Sequence, residues 1–158
     1  MRILFIAPTL PVPASGGRTR LFNLIKQLAK RHEISVLSFI QPDEYEMLPL
    51  MEPYCEHLEL VRFEGFEPLG KWRNRWQGWR RLLLSRRPPY AHTFPIERMR
   101  EPLRRLLRSG VFDVIVYQSL FVAELAEEIG DIPEVLTEEN VESDIAEQAY
   151  VQAANPIH

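Results

Sequence analysis

The sequence predicts an α/β domain with a doubly wound, Rossmann-like parallel sheet, and three observations lead there. Short apolar runs rich in β-formers, at 3–7, 33–40, 57–63, 112–117 and 133–137, alternate with segments of helical periodicity. Strands separated by helices pair in parallel through right-handed crossovers, which sets an expected strand order of 3-2-1-4-5. The chain of 158 residues, 46% apolar and 26% charged, has the size and composition of one globular core.

Each element has a local reason. Residues 3–7 (ILFIA) are continuously apolar, as a strand buried on both faces must be. Residues 8–17 hold Pro8, Pro11 and Pro13 and end Ser15-Gly16-Gly17, so they form a loop. Leu21, Leu24, Ile25 and Leu28 then fall on one face of a helix over about 17–31. Residues 33–40 (EISVLSFI) are the second strand. Proline and acids open a helix over 42–54, which Pro49 kinks or splits. After the third strand, Pro88-Pro89 divides a basic segment into helical patterns over 71–86 and 95–109, the second ended by Gly110. The strong fourth strand (FDVIVY), a helix over 120–129, the short fifth strand and a helix over 141–154 complete the chain.

Composition excludes several classes. The single cysteine, Cys55, permits no internal disulfide and no multi-thiolate metal site, and it reads as a packing residue. The four histidines are too dispersed for a metal pair, so no metal is expected. No run is long and apolar enough to span a bilayer, and the prolines after residue 7 cut short any signal-like segment. A reduced, cytoplasmic location is expected.

The net charge of −3 conceals a segregation. Residues 71–108 carry 12 of the 19 bases and two acids, +10 in all, leaving −13 for the other 120 residues. Trp72, Trp76, Trp79 and Leu83 form one helical stripe, with Arg73, Arg75, Arg80 and Arg81 around it. Tryptophan and arginine suit the interface of an anionic membrane. Equally, the stripe can pack on the sheet while the arginines are solvated or paired with the acidic remainder. For 95–109 the second reading is expected. Nucleic acid is not expected, since the last 48 residues hold eleven acids and no Lys or Arg.

In an open parallel sheet, ligands bind beyond the carboxyl ends of the strands where the strand order reverses. That point lies between strands 1 and 4, and it collects the loop 8–17, Gln118-Ser119, and Glu138-Glu139-Asn140 with Glu142 close by. Gly16 and Gly17 allow close approach to the head of the first helix, whose free amides favour anions. Arg18 and Arg20 add bidentate donors for phosphate. The alternative is a plain turn with solvated arginines. The spacing is not G-x-G-x-x-G, which excludes a dinucleotide enzyme of the usual kind.

The ordered set of ILFIAP, P-x-P-x-x-G-G, Arg20, LAKRH, Arg87-Pro88, FDVI and NVES resembles the N-terminal domain of GT-B glycosyltransferases of family 4, in an exopolysaccharide-type branch, over about residues 2–150. The resemblance implies a chain that is one Rossmann-like, acceptor-side domain (1–158). The C-terminal nucleotide-sugar domain, with its E-x7-E glutamates, is absent from it. It implies a nucleotide sugar as donor in the full-length enzyme, no cofactor in this domain, a saccharide or lipid-linked acceptor, and no transfer by this domain alone. Gly16, Gly17, Arg18 and Arg20 map beside the donor diphosphate. Gln118, Ser119, Glu138, Glu139, Asn140 and Glu142 map to the acceptor side of the cleft. Two departures stand out: Gln118-Ser119 occupies the place of the family's frequent histidine, and Glu139 replaces the histidine of His-Asn-Val-Glu. The membrane contact would be made by Trp72, Arg73, Trp76, Trp79 and Arg80 on the inner face. The competing reading is a non-catalytic module docking on an anionic membrane or a partner through 71–108.

Overall fold

The computed structural model describes residues 1–14, 16–64 and 94–138. The helices expected at 71–86 and 141–154 lie outside the described residues, and with them Trp72, Arg73, Trp76, Trp79, Arg80, Glu139, Asn140 and Glu142.

Five parallel strands form one sheet in the order β3-β2-β1-β4-β5. They are β1 (Arg2–Ala7), β2 (Glu33–Ile40), β3 (His57–Arg62), β4 (Val114–Gln118) and β5 (Glu134–Thr137). The order is the expected one, and β1 sits at its centre because both its neighbours are reached by crossovers running in opposite directions. In register, Ile3 of β1 faces Ile34 of β2 on one side and Val114 of β4 on the other.

Two cores follow from the alternation of side chains along β1. Ile3, Phe5 and Ala7 point to one face, covered by α1 (Gly16–Leu28) through Leu21 and Ile25. Leu4 and Ile6 point to the other, covered by α2 (Glu97–Ser109) through Met99, Leu103 and Leu106. Leu24, expected on the apolar face of α1, is 38% exposed, because Leu21 and Ile25 make the row that faces the sheet and Leu24 lies at its flank.

Two expected α-helices are 3-10 helices. Residues 42–54 split into Pro42–Leu50 and Glu52–Tyr54. Pro49 and Pro53 remove amides that an α-helix would pair, and each disfavours the α conformation in the residue before it. The segment Leu120–Glu128 places Val122, Leu125 and Glu128 in one row, a three-residue repeat that matches the 3-10 period. The first two are buried against α2, and the third reaches its arginines. Gly130, at φ +72°, ends this helix in the left-handed conformation that glycine adopts without strain.

The arginines of α2 are largely engaged. Arg100 Nη1 and Arg104 Nε reach Glu128 at 2.8 and 2.6 Å, Arg105 pairs with Glu59, and Arg108 lies 3.0 Å from Glu101. The two guanidinium hydrogen bonds hold the Glu128 carboxyl down at about 2. Pairing with the acidic body is the reading that the sequence favoured for this helix. Cys55 is half-buried beside the α1-side core, and burial pushes its thiol up to about 12, which keeps it protonated and inert. Among the described residues, no helix is long and apolar enough to cross a membrane.

Candidate functional site

The carboxyl ends of β1, β4 and β5 surround a cleft of about 220 Å³. Three separate stretches of sequence build it. The first is the loop after β1. It is held by the buried side chains of Leu10 and Val12 and by two tight turns, Val12 N to Leu10 O (2.9 Å) and Ala14 N to Val12 O (2.7 Å). Pro8, Thr9 and Pro11 of this loop, with Gly17, Arg18 and Leu21 of α1, form one wall.

Arg18 lines the cleft, but its charge is already used. Its Nε donates to Leu10 O at 2.8 Å, and Nη2 lies 2.5 Å from Glu44 Oε1 in an ion pair whose N–H bonds do not aim at the oxygen. Glu44 is 5% exposed, and its other oxygen accepts Gln41 N at 2.8 Å. A free phosphate donor was expected here; the residue instead fastens the first loop and the head of α1 to the 3-10 helix after β2. Arg20 is exposed on α1, and Gly16 is exposed at its head. A Cβ on Gly16 would meet no atom within 4 Å. The open space there belongs to no described residue.

The second stretch is the end of β4. Gln118 is buried, and its Oε1 accepts the Thr137 hydroxyl at 2.7 Å. Ser119 follows at φ 95°, ψ 147°, a region close to glycine-only. Its N–H donates to Thr137 O at 2.9 Å, and its Oγ accepts from Phe121 N at 3.4 Å, capping the helix that follows. The strained turn carries Phe121 into the opposite wall of the cleft.

The third stretch is the end of β5, where Glu138 lines the cleft. Its carboxylate accepts the Leu120 amide, at the positive head of Leu120–Glu128. Of the residues singled out in the sequence, Gly17, Arg18, Gln118, Ser119 and Glu138 thus line one space, and Gly16 and Arg20 are not among its lining residues. Sequence reasoning did not single out Phe94 or Phe121. Phe121 was within reach, three residues beyond the end of β4 at the switch point, whereas no local pattern marks Phe94.

The chemistry available is binding and positioning. Thr9 and Ser119 supply hydroxyls, Gln118 an amide and Glu138 a carboxylate. Among the described residues, no group of three His, Cys, Asp or Glu side chains could hold a metal ion. A second cavity of about 300 Å³ opens at the opposite edge of the sheet, beside Arg2, Glu33, Glu56 and His57. It is larger, yet it lies at the amino ends of the strands, away from the switch point, and Arg2 is tied there to Asp113.

No protein-family model matches the chain, and no curated protein matches it. Solved structures do. The C-terminal domain of a hydrogenase from Pyrococcus furiosus superposes with a TM-score of 0.52 at 13% identity, over 85% of this chain and 89% of that one. This likeness shows the fold alone, since doubly wound sheets host many unrelated chemistries. A UGT transferase from Siraitia grosvenorii in complex with UDP gives a TM-score of 0.44 at 14% identity, over 86% of this chain and 27% of its own. UGT89C1 from Arabidopsis thaliana, complexed with UDP, gives 0.44 at 15%, over 85% and 33%.

Proposed function

We propose that the chain is the N-terminal, acceptor-side domain of a glycosyltransferase that moves a sugar from a nucleotide sugar to a lipid-linked saccharide acceptor. One observation carries the reading. The loop after β1, Gln118-Ser119 and Glu138, which the family resemblance assigns to one interdomain cleft, line a single space at the switch point of the sheet.

In this reading Gly16, Gly17 and Arg20 face the donor diphosphate held by a second domain. The bond from the anomeric carbon to the diphosphate breaks as the acceptor oxygen attacks. The helix-head amides and Arg20 meet the charge that grows on the leaving group. Arg18 acts one step back, holding the loop. Gln118, Ser119 and Glu138 meet the acceptor. The domain alone lacks the wall that holds the donor, so it binds without transferring. The full protein works at the cytoplasmic face of a membrane. Residues 71–93, with their tryptophan stripe, supply the contact with anionic lipid, because four of the five arginines of α2 are taken up by carboxylates.

The test is transfer by the product of the complete reading frame, assayed with UDP- and GDP-sugars and lipid-linked acceptors. Transfer is expected from the complete protein and none from residues 1–158 alone. Arg20→Ala is expected to weaken donor binding roughly tenfold, as the loss of one charged hydrogen bond does. A complete protein that transfers no sugar, or an Arg20→Ala variant with unchanged donor affinity, sinks the proposal. For the membrane, anionic vesicles should blue-shift tryptophan fluorescence; Trp72→Ala, Trp76→Ala and Trp79→Ala together should abolish binding.

A further inference from the structure

We propose that the cleft binds an apolar moiety of the acceptor directly, beside the reacting hydroxyl, and that Phe94 sets how large that moiety can be. The inference rests on the glycosyltransferase reading for the word acceptor, and on the cleft itself for everything else.

Three polar side chains at the cleft are partly committed to neighbours: Gln118 Oε1 accepts from Thr137, one Glu138 oxygen accepts the Leu120 amide, and Arg18 Nε donates to Leu10 O while its guanidinium pairs with Glu44. Against them stand Pro8, Pro11, Leu21, Phe94 and Phe121, which offer no side-chain hydrogen bond. A bare saccharide presents hydroxyls on every side, and those turned to the proline, leucine and phenylalanine walls find no partner there. A molecule with an apolar body and one polar end loses nothing on the apolar walls. It keeps its polar end at the hydroxyls of Thr9 and Ser119.

Phe94 gives the cleft its limit. Behind it lies a smaller cavity of about 30 Å³, which shares Pro8, Thr9 and Phe94 with the cleft and is closed by Phe39, Phe63, Gln41 and Glu44. The Phe94 ring stacks on Phe39 at 5.9 Å, tilts against Phe63 at 5.8 Å and meets Phe121 edge-on at 5.4 Å. It is therefore the partition between the two spaces. Shortening it joins them, and the joined trough runs on to Phe39 and Phe63, with Gln41 and Glu44 at its edge. An isoprenoid chain and a single aromatic ring share the chemistry these walls accept.

Calorimetric titration of the chain with geranyl glucoside, phenyl glucoside and free maltose tests the idea and separates the two sources. At least one apolar glucoside is expected to bind tenfold or more tightly than maltose. Tighter geranyl binding points to an isoprenoid, and tighter phenyl binding to an aromatic group. Phe94→Ala is expected to shift preference about tenfold toward the longer farnesyl glucoside, and Phe94→Trp to weaken the geranyl compound. Phe94→Leu, which keeps apolar packing with a shorter side chain, gives the same shift if the alanine variant does not fold. Maltose binding as tightly as the glucosides, or an unchanged order in the Phe94 variants, overturns the proposal. Apolar binding that depends on Phe94, without transfer by the complete enzyme, retires the enzymatic reading and leaves this one. Transfer to free saccharides without apolar binding does the reverse.

Discussion

Ser119 holds a conformation that costs roughly 1–3 kcal/mol for a residue with a Cβ. Its hydroxyl recovers only part of that through the cap to Phe121 N. Ser119→Gly is therefore expected to raise stability by about 1 kcal/mol, read as a higher Tm, whereas Ser119→Ala keeps the strain, loses the cap and lowers Tm. A glycine variant that melts below the wild type would show that the turn is unstrained. Arg18 and Glu44 pose the opposite case. Removing the cation leaves a 5% exposed carboxylate without its charge partner. Arg18→Ala is expected to cost roughly 3 kcal/mol in urea unfolding. Adding Glu44→Gln should restore much of that loss. A loss below about 0.5 kcal/mol for Arg18→Ala would place the pair among weak surface contacts. In the sequence, Arg18 looked like one more basic residue at a helix head. Its partner sits 26 positions later in another element, so no local pattern could join them.

At the scale of elements, α2 and Leu120–Glu128 are joined by Val122 and Leu125 on Met99 and Leu103, and by Glu128 between Arg100 and Arg104. The Glu128 carboxyl titrates near 2 in the fold against an ordinary 4.5. A depressed carboxylate contributes stability that is fully present above its unfolded value. That contribution is lost as the pH falls from about 4.5 toward 2. Glu128→Gln is expected to lower Tm near neutral pH and to flatten the decline between those limits. A Tm profile that superposes on the wild type below pH 5 would remove the clamp. The strands were legible to within about two residues, because an apolar run bounded by turn residues is a local property. Helix type was less legible. Pro49 announced a break, while the three-residue row of Leu120–Glu128 has meaning only once α2 lies against it.

For the whole molecule, β1 is where the two cores meet. Leu4 is fully buried and packs beneath α2, between neighbours on β2 and β4. Leu4→Ala is expected to cost roughly 2–5 kcal/mol, a large part of a typical domain's total stability. Unchanged urea unfolding would mean that the sheet tolerates a cavity at its centre. The sequence alone determined the number of strands, their parallel pairing and the order 3-2-1-4-5, since hydrophobic period and crossover handedness are set by short-range sterics. From that order came the place of the cleft and most of its polar residues. Tertiary structure decided what those residues are free to do. Arg18 spends its charge on Glu44, Glu138 and Gln118 each give one oxygen to a neighbour, and the rings of Phe94 and Phe121 make the walls apolar. Each of those outcomes is a contact between residues distant in the chain. Such contacts depend on where packed elements bring side chains together, and no window of sequence contains that information.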